Sequence, residues 1–263
     1  MEVMEKCGTA HIGGAFSSMD ILTVLYNKIL KINPKNPDYA ERDYFILSAG
    51  HKGLALYVVL QSVGYFDEEI LWTYNKLNTK IPTHPDSHLL PGIEFSLGSL
   101  GHGLSIAGGI ALSLKKMKRK NRVFVLLGDG ETNEGSVWEA AASAVKYELE
   151  NLTMIVDVNG LQAEGSTEEV MPLDPLNEKF SSFGWAVKNI DGHSIVEIFN
   201  ALTDIPIKKS KPSCILAKTI KCKGIQFAES KIEFHNWGPT KEESEKAAEC
   251  LFVCRDKELS KIG

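Results

Sequence analysis

Asp129 and Asn159 are the two side chains whose types and spacing first suggest chemistry. Asp129 stands in Gly128-Asp129-Gly130, directly after the apolar, β-branched run at 123–127. Asn159 follows a second such run at 154–158, thirty positions after Asp129. Runs of this kind read as fully buried strands. Between them, residues 136–147 read as a helix with Val137, Ala141, Ala144 and Val145 on one side. Strand, glycine turn, helix, strand is a βαβ unit, and its ligand crevice forms at the carboxyl ends of the strands. One anionic and one neutral oxygen at two such ends suit a hard divalent cation, Mg²⁺ or Ca²⁺. Mg²⁺ takes few protein ligands and completes its shell with phosphate oxygens. The flanking Gly128 and Gly130 let backbone N–H groups approach a phosphate with no Cβ in the way. The arrangement predicts a metal-plus-diphosphate site. Gly-Asp-Gly alone is more often ordinary turn chemistry, and the Asn at the second strand end is what points beyond a turn.

The other candidates are imidazoles. Seven histidines occur, and any one alone is more often a surface or core residue than a catalytic one. His11, His51, His84 and His235 lie in loops beside predicted strands or helices, where α/β proteins assemble their sites.

The elements that must position these residues alternate. Residues 19–31 read as a helix capped by Ser17 or Ser18, 44–47 as a short buried strand, and a helix follows His51 to about residue 63. A long loop covers 83–92, and residues 97–103 open a helix over 104–118. After the central βαβ unit come a helix at 176–183, a strand at 185–190, a helix at 194–204 and a strand within 212–219. Thr240 caps a last charged helix from 241 to about 255. Strands alternating with helices predict an α/β fold with three layers, a mostly parallel central sheet covered by helices on both faces.

Composition narrows the class. The 263 residues suffice for one large α/β domain, expected over 1–263. A net charge of −5 gives no reason to expect nucleic acid or a membrane surface as a partner. The basic runs at 115–122 and 208–211 read as solvated helix ends. Five cysteines, an odd number without a CxxC spacing, argue for free thiols in a reducing compartment, hence the cytoplasm. Cys250 and Cys254 stand one helical turn apart without a further ligand beside them. No run approaches the ~18 apolar residues of a transmembrane helix, and no signal-peptide pattern opens the chain.

Gly-Asp-Gly, about thirty residues and Asn resemble the diphosphate motif of thiamine diphosphate (ThDP) enzymes. The wording GDGETNEGSVWEAA…NLTMIVDVNGLQAEG is similar to the transketolase family, and most resembles the N-terminal half of a split transketolase. The resemblance runs from about Ala10 to His235. It implies that Asp129, Asn159 and the Leu161 backbone carbonyl hold the metal, and that Gly128 and Gly130 flank the diphosphate. It matches His11 in Thr-Ala-His-Ile-Gly-Gly, His51 in Leu-Ser-Ala-Gly-His, His84 before Pro85, and His235 to the family's histidine motifs. By that likeness His51 and His235 contact the diphosphate, while His11 and His84 bind substrate hydroxyls and move protons. Several imidazoles titrating near neutrality suit proton movement between oxygens as C–C bonds break and form. Gly98 would offer its carbonyl to the aminopyrimidine, and Leu100 would pack on the cofactor. Glu134 and Glu139 resemble interface acids, Glu134 beside the cofactor; Glu139 reads equally as a solvated helix face. Asp191-Gly-His193 recurs as a turn, and His193 is taken as structural. His88 and His102 receive no role.

The sequence departs from the family around His11, where Ala10 and Ile12 replace Gly and Pro, and after His235, where Asn236-Trp237 stands for Gly. Only ten residues precede His11, so a first helix is expected to be shortened. The resemblance also implies a second, pyrimidine-binding domain that supplies a glutamate to the cofactor. It is expected on a separate partner chain, giving an α₂β₂ assembly with sugars or sugar phosphates as substrates. Two other readings stay open: a component of a ThDP-dependent decarboxylating enzyme (deoxyxylulose-phosphate synthase-like or a 2-oxo acid dehydrogenase first component), and a non-catalytic ThDP-binding scaffold subunit.

Overall fold

The computed structural model describes the backbone of residues 1–259 and the side chains of residues 1–253. Cys254, noted in the sequence one helical turn from Cys250, lies outside the described side chains. Five strands form the centre: β1 (Tyr44–Leu47), β2 (Val123–Gly128), β3 (Leu152–Val158), β4 (Ala186–Asp191) and β5 (Ser213–Lys218). All run parallel in the order β1-β2-β3-β5-β4. The carboxyl ends of the strands therefore lie along one edge of the sheet.

Around the sheet lie α1 (Glu2–Cys7), α2 (Ile12–Val24), α3 (Gly53–Ser62), α4 (Gly103–Lys116), α5 (Gly135–Lys146), α6 (Thr167–Val170), α7 (Leu176–Ser182), α8 (Ile195–Thr203) and α9 (Lys241–Leu259). Side chains alternate across the strands and feed two cores. Phe124, Leu126 and Ile155 face the core shared with α2, α3 and α8. Val123, Val125, Leu127, Met154 and Val156 face the core shared with α4, α5 and α7. Each fully buried side chain of this kind contributes about 1.5–3 kcal/mol. The two-faced burial explains why the strand sequences are apolar throughout rather than alternating.

The alternation also points Asp157, two residues beyond Ile155, at α2 rather than at solvent. It is fully buried. Ser17, on α2, donates to it at 2.5 Å. The expected helix over 19–31 is corrected here. The helix begins at Ile12 with His11 at its N-cap, and it ends in a π-helical turn at Leu25–Ile29. Ser17 and Ser18 are interior positions, bonded back to the Gly14 carbonyl at 3.0 and 2.8 Å. Gly13 and Gly14 have poor helix propensity, which hid this first turn. Tertiary contacts override it, because two lysine stems lie across the glycines. A Cβ on Gly13 would meet Lys221 Cγ at 2.8 Å, and one on Gly14 would meet Lys52 Cε at 3.1 Å.

Candidate functional site

The strand tips gather the expected residues around one cleft of about 400 Å³. His11, His51, His84, Gly98, Leu100, Gly128, Asp129, Gly130, Glu134, Asn159, Leu161 and His235 all line it. The tip of β2 supplies Asp129. Its Oδ1 accepts the Gly130 N–H at 2.8 Å and its Oδ2 the Gly160 N–H at 2.5 Å. The carboxylate thus lies on the turn Asn159-Gly160-Leu161 at the tip of β3. Asn159 is oriented within that turn: its Oδ1 accepts the Leu161 N–H at 3.1 Å and its Nδ2 donates to Asp157 at 3.2 Å. Burial, and then the nearby Asp157 charge, push the Asp129 carboxyl up to about 6. A cation beside it would favour the ionised form.

The imidazoles form one cluster. The His11 ring centroid lies 5.5 Å from His51, 6.2 Å from His84 and 5.6 Å from His235, and His51 and His235 stack at 5.8 Å. Burial and neighbouring cations keep three of them neutral. Burial, then the Lys52 charge, holds His51 down at about 2. Burial, then Lys221, holds His235 at about 4. Burial, then His84 and Lys221, lowers His11 as well. His84 is exposed at the mouth. The substitutions flanking these motifs fit one another: Ala10 and Trp237 exchange backbone hydrogen bonds at 3.1 and 3.0 Å, so the segments carrying His11 and His235 are laced together.

Four residues missed in the sequence hold the cleft in shape. Glu131 is buried; it accepts the Gly101 N–H at 2.9 Å, the Gly128 N–H at 3.2 Å and the Ser48 hydroxyl. It ties the Gly98–Gly101 loop to the Gly128 turn. Lys52 and Asp157 form an interior ion pair, 2% and 0% exposed. Asp157 also accepts from the Ser17 and Thr219 hydroxyls. Burial works to raise the Asp157 carboxyl, but Lys52 and these hydroxyls outweigh it and hold it below the usual carboxylate range. Lys221 Nζ donates to the Leu161 and Gln162 carbonyls at 3.1 and 3.0 Å and to His235 Nδ1 at 2.8 Å. Burial, then Lys52, lowers the Lys221 ammonium to about 8. With Nδ1 accepting, His235 is the tautomer whose Nε2 carries the proton. A positional signal was in reach for the two lysines, though not for Glu131 or Asp157. Lys52 and Lys221 follow the ends of β1 and β5, as Asp129 and Asn159 follow β2 and β3.

The remaining expectations fall outside the cleft. His193 spans two elements: its Nδ1 donates to Asp20 on α2 at 2.8 Å and its Nε2 accepts the Ile220 N–H at 2.9 Å. His88 is exposed beside Asp86, and His102 bonds the Leu100 carbonyl. Glu139 is exposed on α5, at a groove shared with α4.

Three atoms test whether a polar ligand suits the cleft. His11 Nδ1, Asn133 Oδ1 and Gln162 Nε2 are buried without a hydrogen-bond partner, and their residues line it. Buried polar atoms are normally paired, so these fit a ligand that pairs them. Among the described residues no three His, Cys, Asp or Glu side chains cluster as a metal cage. A carboxylate, a carboxamide and a carbonyl make an all-oxygen set with few charges, which suits a hard cation that also holds an anion.

A parallel sheet presenting ammonium groups, neutral imidazoles and a carboxylate at one edge defines an α/β domain whose strand-tip cleft suits a polar, anionic ligand. The chain matches the family described as "Transketolase, thiamine diphosphate binding domain" over residues 1–251, and it belongs to that family. It is 43% identical over 242 residues to the 6-deoxy-6-sulfo-D-fructose transketolase subunit SqwG of Clostridium sp. (strain MSTE9), covering 92% of this chain and 88% of that one. It is 41% identical over 241 residues to one of the apulose-4-phosphate transketolase subunits of Actinobacillus succinogenes, covering 92% and 87%. The transketolase of Campylobacter jejuni superposes with a TM-score of 0.87 at 32% identity, over 94% of this chain and 40% of that one.

Proposed function

We propose that the chain is the diphosphate-binding subunit of a transketolase-type enzyme, which moves a two-carbon ketol unit from a ketose to an aldose. The observation that carries the reading is the seat of Asp129 on the Asn159-Gly160-Leu161 turn, beneath four clustered imidazoles. Asp129, Asn159 and the Leu161 carbonyl would hold Mg²⁺ or Ca²⁺. His51 and His235 would donate to the diphosphate, with the Lys221 ammonium adding positive charge nearby while its donors hold the Leu161 and Gln162 carbonyls and His235 Nδ1. Gly98 and Leu100 would meet the pyrimidine side of the cofactor, with Glu134 nearby. When bound, thiamine diphosphate supplies the nucleophilic carbon and the electron sink for ketol transfer. This chain's own contribution is to hold the cofactor and to move protons at the sugar hydroxyls. His84, exposed at the mouth, and His11, amid the imidazole cluster, would serve that purpose, and the lowered pKa of His11 favours the neutral form that accepts a proton.

One ThDP-binding domain supplies half of such a site. We infer a partner chain carrying the pyrimidine-binding domain, in an α₂β₂ assembly within the cytoplasm. The relatives named as transketolase subunits support the partner. The free Cys7, Cys214, Cys222 and Cys250 are consistent with a reducing compartment. Among the described residues no helix is long and apolar enough to cross a membrane. The relatives' names concern a sulfonated ketose and a phosphorylated one. A ketose with an anionic far end is therefore the substrate class to try first. The decarboxylating alternative is not favoured, since the similar proteins are transketolases.

The test is co-expression with a pyrimidine-domain chain and an assay of ketol transfer with ThDP and Mg²⁺. Transfer that disappears in Asp129→Ala supports the reading. Absence of transfer across sugar, sugar-phosphate and sulfo-sugar donors would sink it.

A further inference from the structure

Lys52 has no part in the roles above, yet it is a deeply buried cation in the cleft. Its side chain is 2% exposed and its ammonium pairs with Asp157 Oδ2. The pairing is lopsided. Asp157 has the Ser17 hydroxyl, the Thr219 hydroxyl and Asn159 Nδ2 as further donors. Its oxygens thus have three donors besides the Lys52 ammonium, which supplies the opposite charge. The ammonium has three donors, and among the described residues Asp157 is its one recorded acceptor. Donors left unmet in an interior are costly.

The position of Nζ says what the spare donors face. A Cβ on Gly128, the first glycine of Gly128-Asp129-Gly130, would stand 3.8 Å from it, with nothing else within 4 Å. Lys52 lines the same cleft as His51, Asp129, Asn159 and Lys221. Room for it is provided on the opposite side. A Cβ on Gly14 would meet Lys52 Cγ and Cε at 3.1 Å, so the stem lies flat on the first turn of α2. A single divalent cation offsets only part of the charge of a diphosphate, and a dry ammonium beneath it offsets more.

We propose that Lys52, seated on Gly14 and braced by Asp157, is a diphosphate-binding residue whose spare N–H donors take an oxygen of the bound cofactor. The inference rests on the diphosphate site proposed above, and it goes beyond it by adding a floor to that site.

The experiment is calorimetric titration of the full chain with inorganic pyrophosphate and Mg²⁺, run well below each variant's melting temperature. Lys52→Met removes the charge but leaves Asp157 buried alone. The double variant Lys52→Met/Asp157→Asn removes both charges and is expected to melt nearer the wild type. Both variants are expected to bind Mg²⁺-pyrophosphate at least tenfold more weakly. Recovery of wild-type affinity in the double variant would reduce Lys52 to a neutraliser of Asp157 and overturn the proposal. Unchanged affinity in Lys52→Met would overturn it as well. Asp129→Ala separates the two levels. If it binds as the wild type does, the diphosphate site itself is misplaced. If it loses binding while Lys52→Met keeps it, the role of Lys52 alone falls.

Discussion

The Oδ2 atom of Asp129 accepts the backbone N–H of Gly160 at 2.5 Å, which joins the tip of β2 to the turn after β3. The contact brings an anionic oxygen to the turn that carries Asn159 and the Leu161 carbonyl. In Asp129→Asn the anionic ligand is gone, and Mg²⁺ affinity is expected to fall about 100-fold or more. The metal-free protein is expected to change little in melting temperature, because removal of an unfavourable buried charge is offset by a carboxamide that can accept only one of the Gly130 and Gly160 N–H groups. Calorimetry with Mg²⁺ and thermal melting read the two effects separately. A lower melting temperature with intact Mg²⁺ affinity would refute this account of Asp129.

Acid should act on the site in two ways. Protons compete with the metal for Asp129, whose pKa is near 6. Mg²⁺ affinity is expected to fall by about tenfold for each pH unit below that value. His51 works on stability. Its folded pKa of about 2 lies below the ordinary 6.5, so its contribution is fully present above 6.5 and is lost as pH falls toward 2. Each such group contributes a slope of up to about 1.4 kcal/mol per pH unit. Asp129 in the metal-free protein opposes this between about 6 and its ordinary 3.8, since its folded pKa is raised. Asp129 and His51 therefore largely cancel down to pH 4. His235, with a folded pKa of about 4, adds an unopposed loss from pH 6.5 to 4. Metal-free melting temperatures should fall across that range and continue to fall below it. The gain in melting temperature from added Mg²⁺ and ThDP should shrink from pH 7 to pH 5. Thermal melts across that series, with and without ligands, check both.

The imidazole cluster should divide by role. His11→Ala is expected to lower ketol-transfer kcat of the assembled enzyme by about 10²–10⁴ with ThDP affinity retained. His51→Ala should instead weaken ThDP binding, because its ring stacks with His235 beside the diphosphate seat. Separate measurements of kcat and of cofactor affinity distinguish the two. Equal loss of affinity in both variants would remove the proposed division of labour.

Gly50 tests how tightly the loops around the cleft are fitted. A Cβ there would stand 2.1 Å from the Leu97 carbonyl oxygen, with backbone on both sides. Gly50→Ala must push the loop bearing His51 away from the loop bearing Gly98. A stability loss of about 3 kcal/mol is expected from denaturation curves, with weaker ThDP binding.

The parts of this molecule that obey short-range rules were readable from the sequence. The strands at β2 and β3 are continuous apolar runs, and their glycine ends place Asp129 and Asn159 without further information. The first turn of α2 was not readable, because its glycines are explained by Lys52 and Lys221, which lie 38 and 208 positions from Gly14 and Gly13. The Lys52–Asp157 pair escaped for the same reason, being a contact between residues 105 positions apart. A lysine next to a motif histidine looks like a surface charge until the sheet order puts β3 within its reach. Glu131 was hidden inside the motif itself, where nothing local distinguishes a loop-tying carboxylate from a metal ligand.

His193 has a reach that its place outside the cleft conceals. It fastens Asp20, about two and a half turns along the helix that starts at His11, to Ile220, the neighbour of Lys221. The wall that begins at His11 and the wall that carries Lys221 are thereby riveted through one ring. Slack introduced at that rivet would blunt turnover from a distance, with every group that touches the coenzyme still in its native identity.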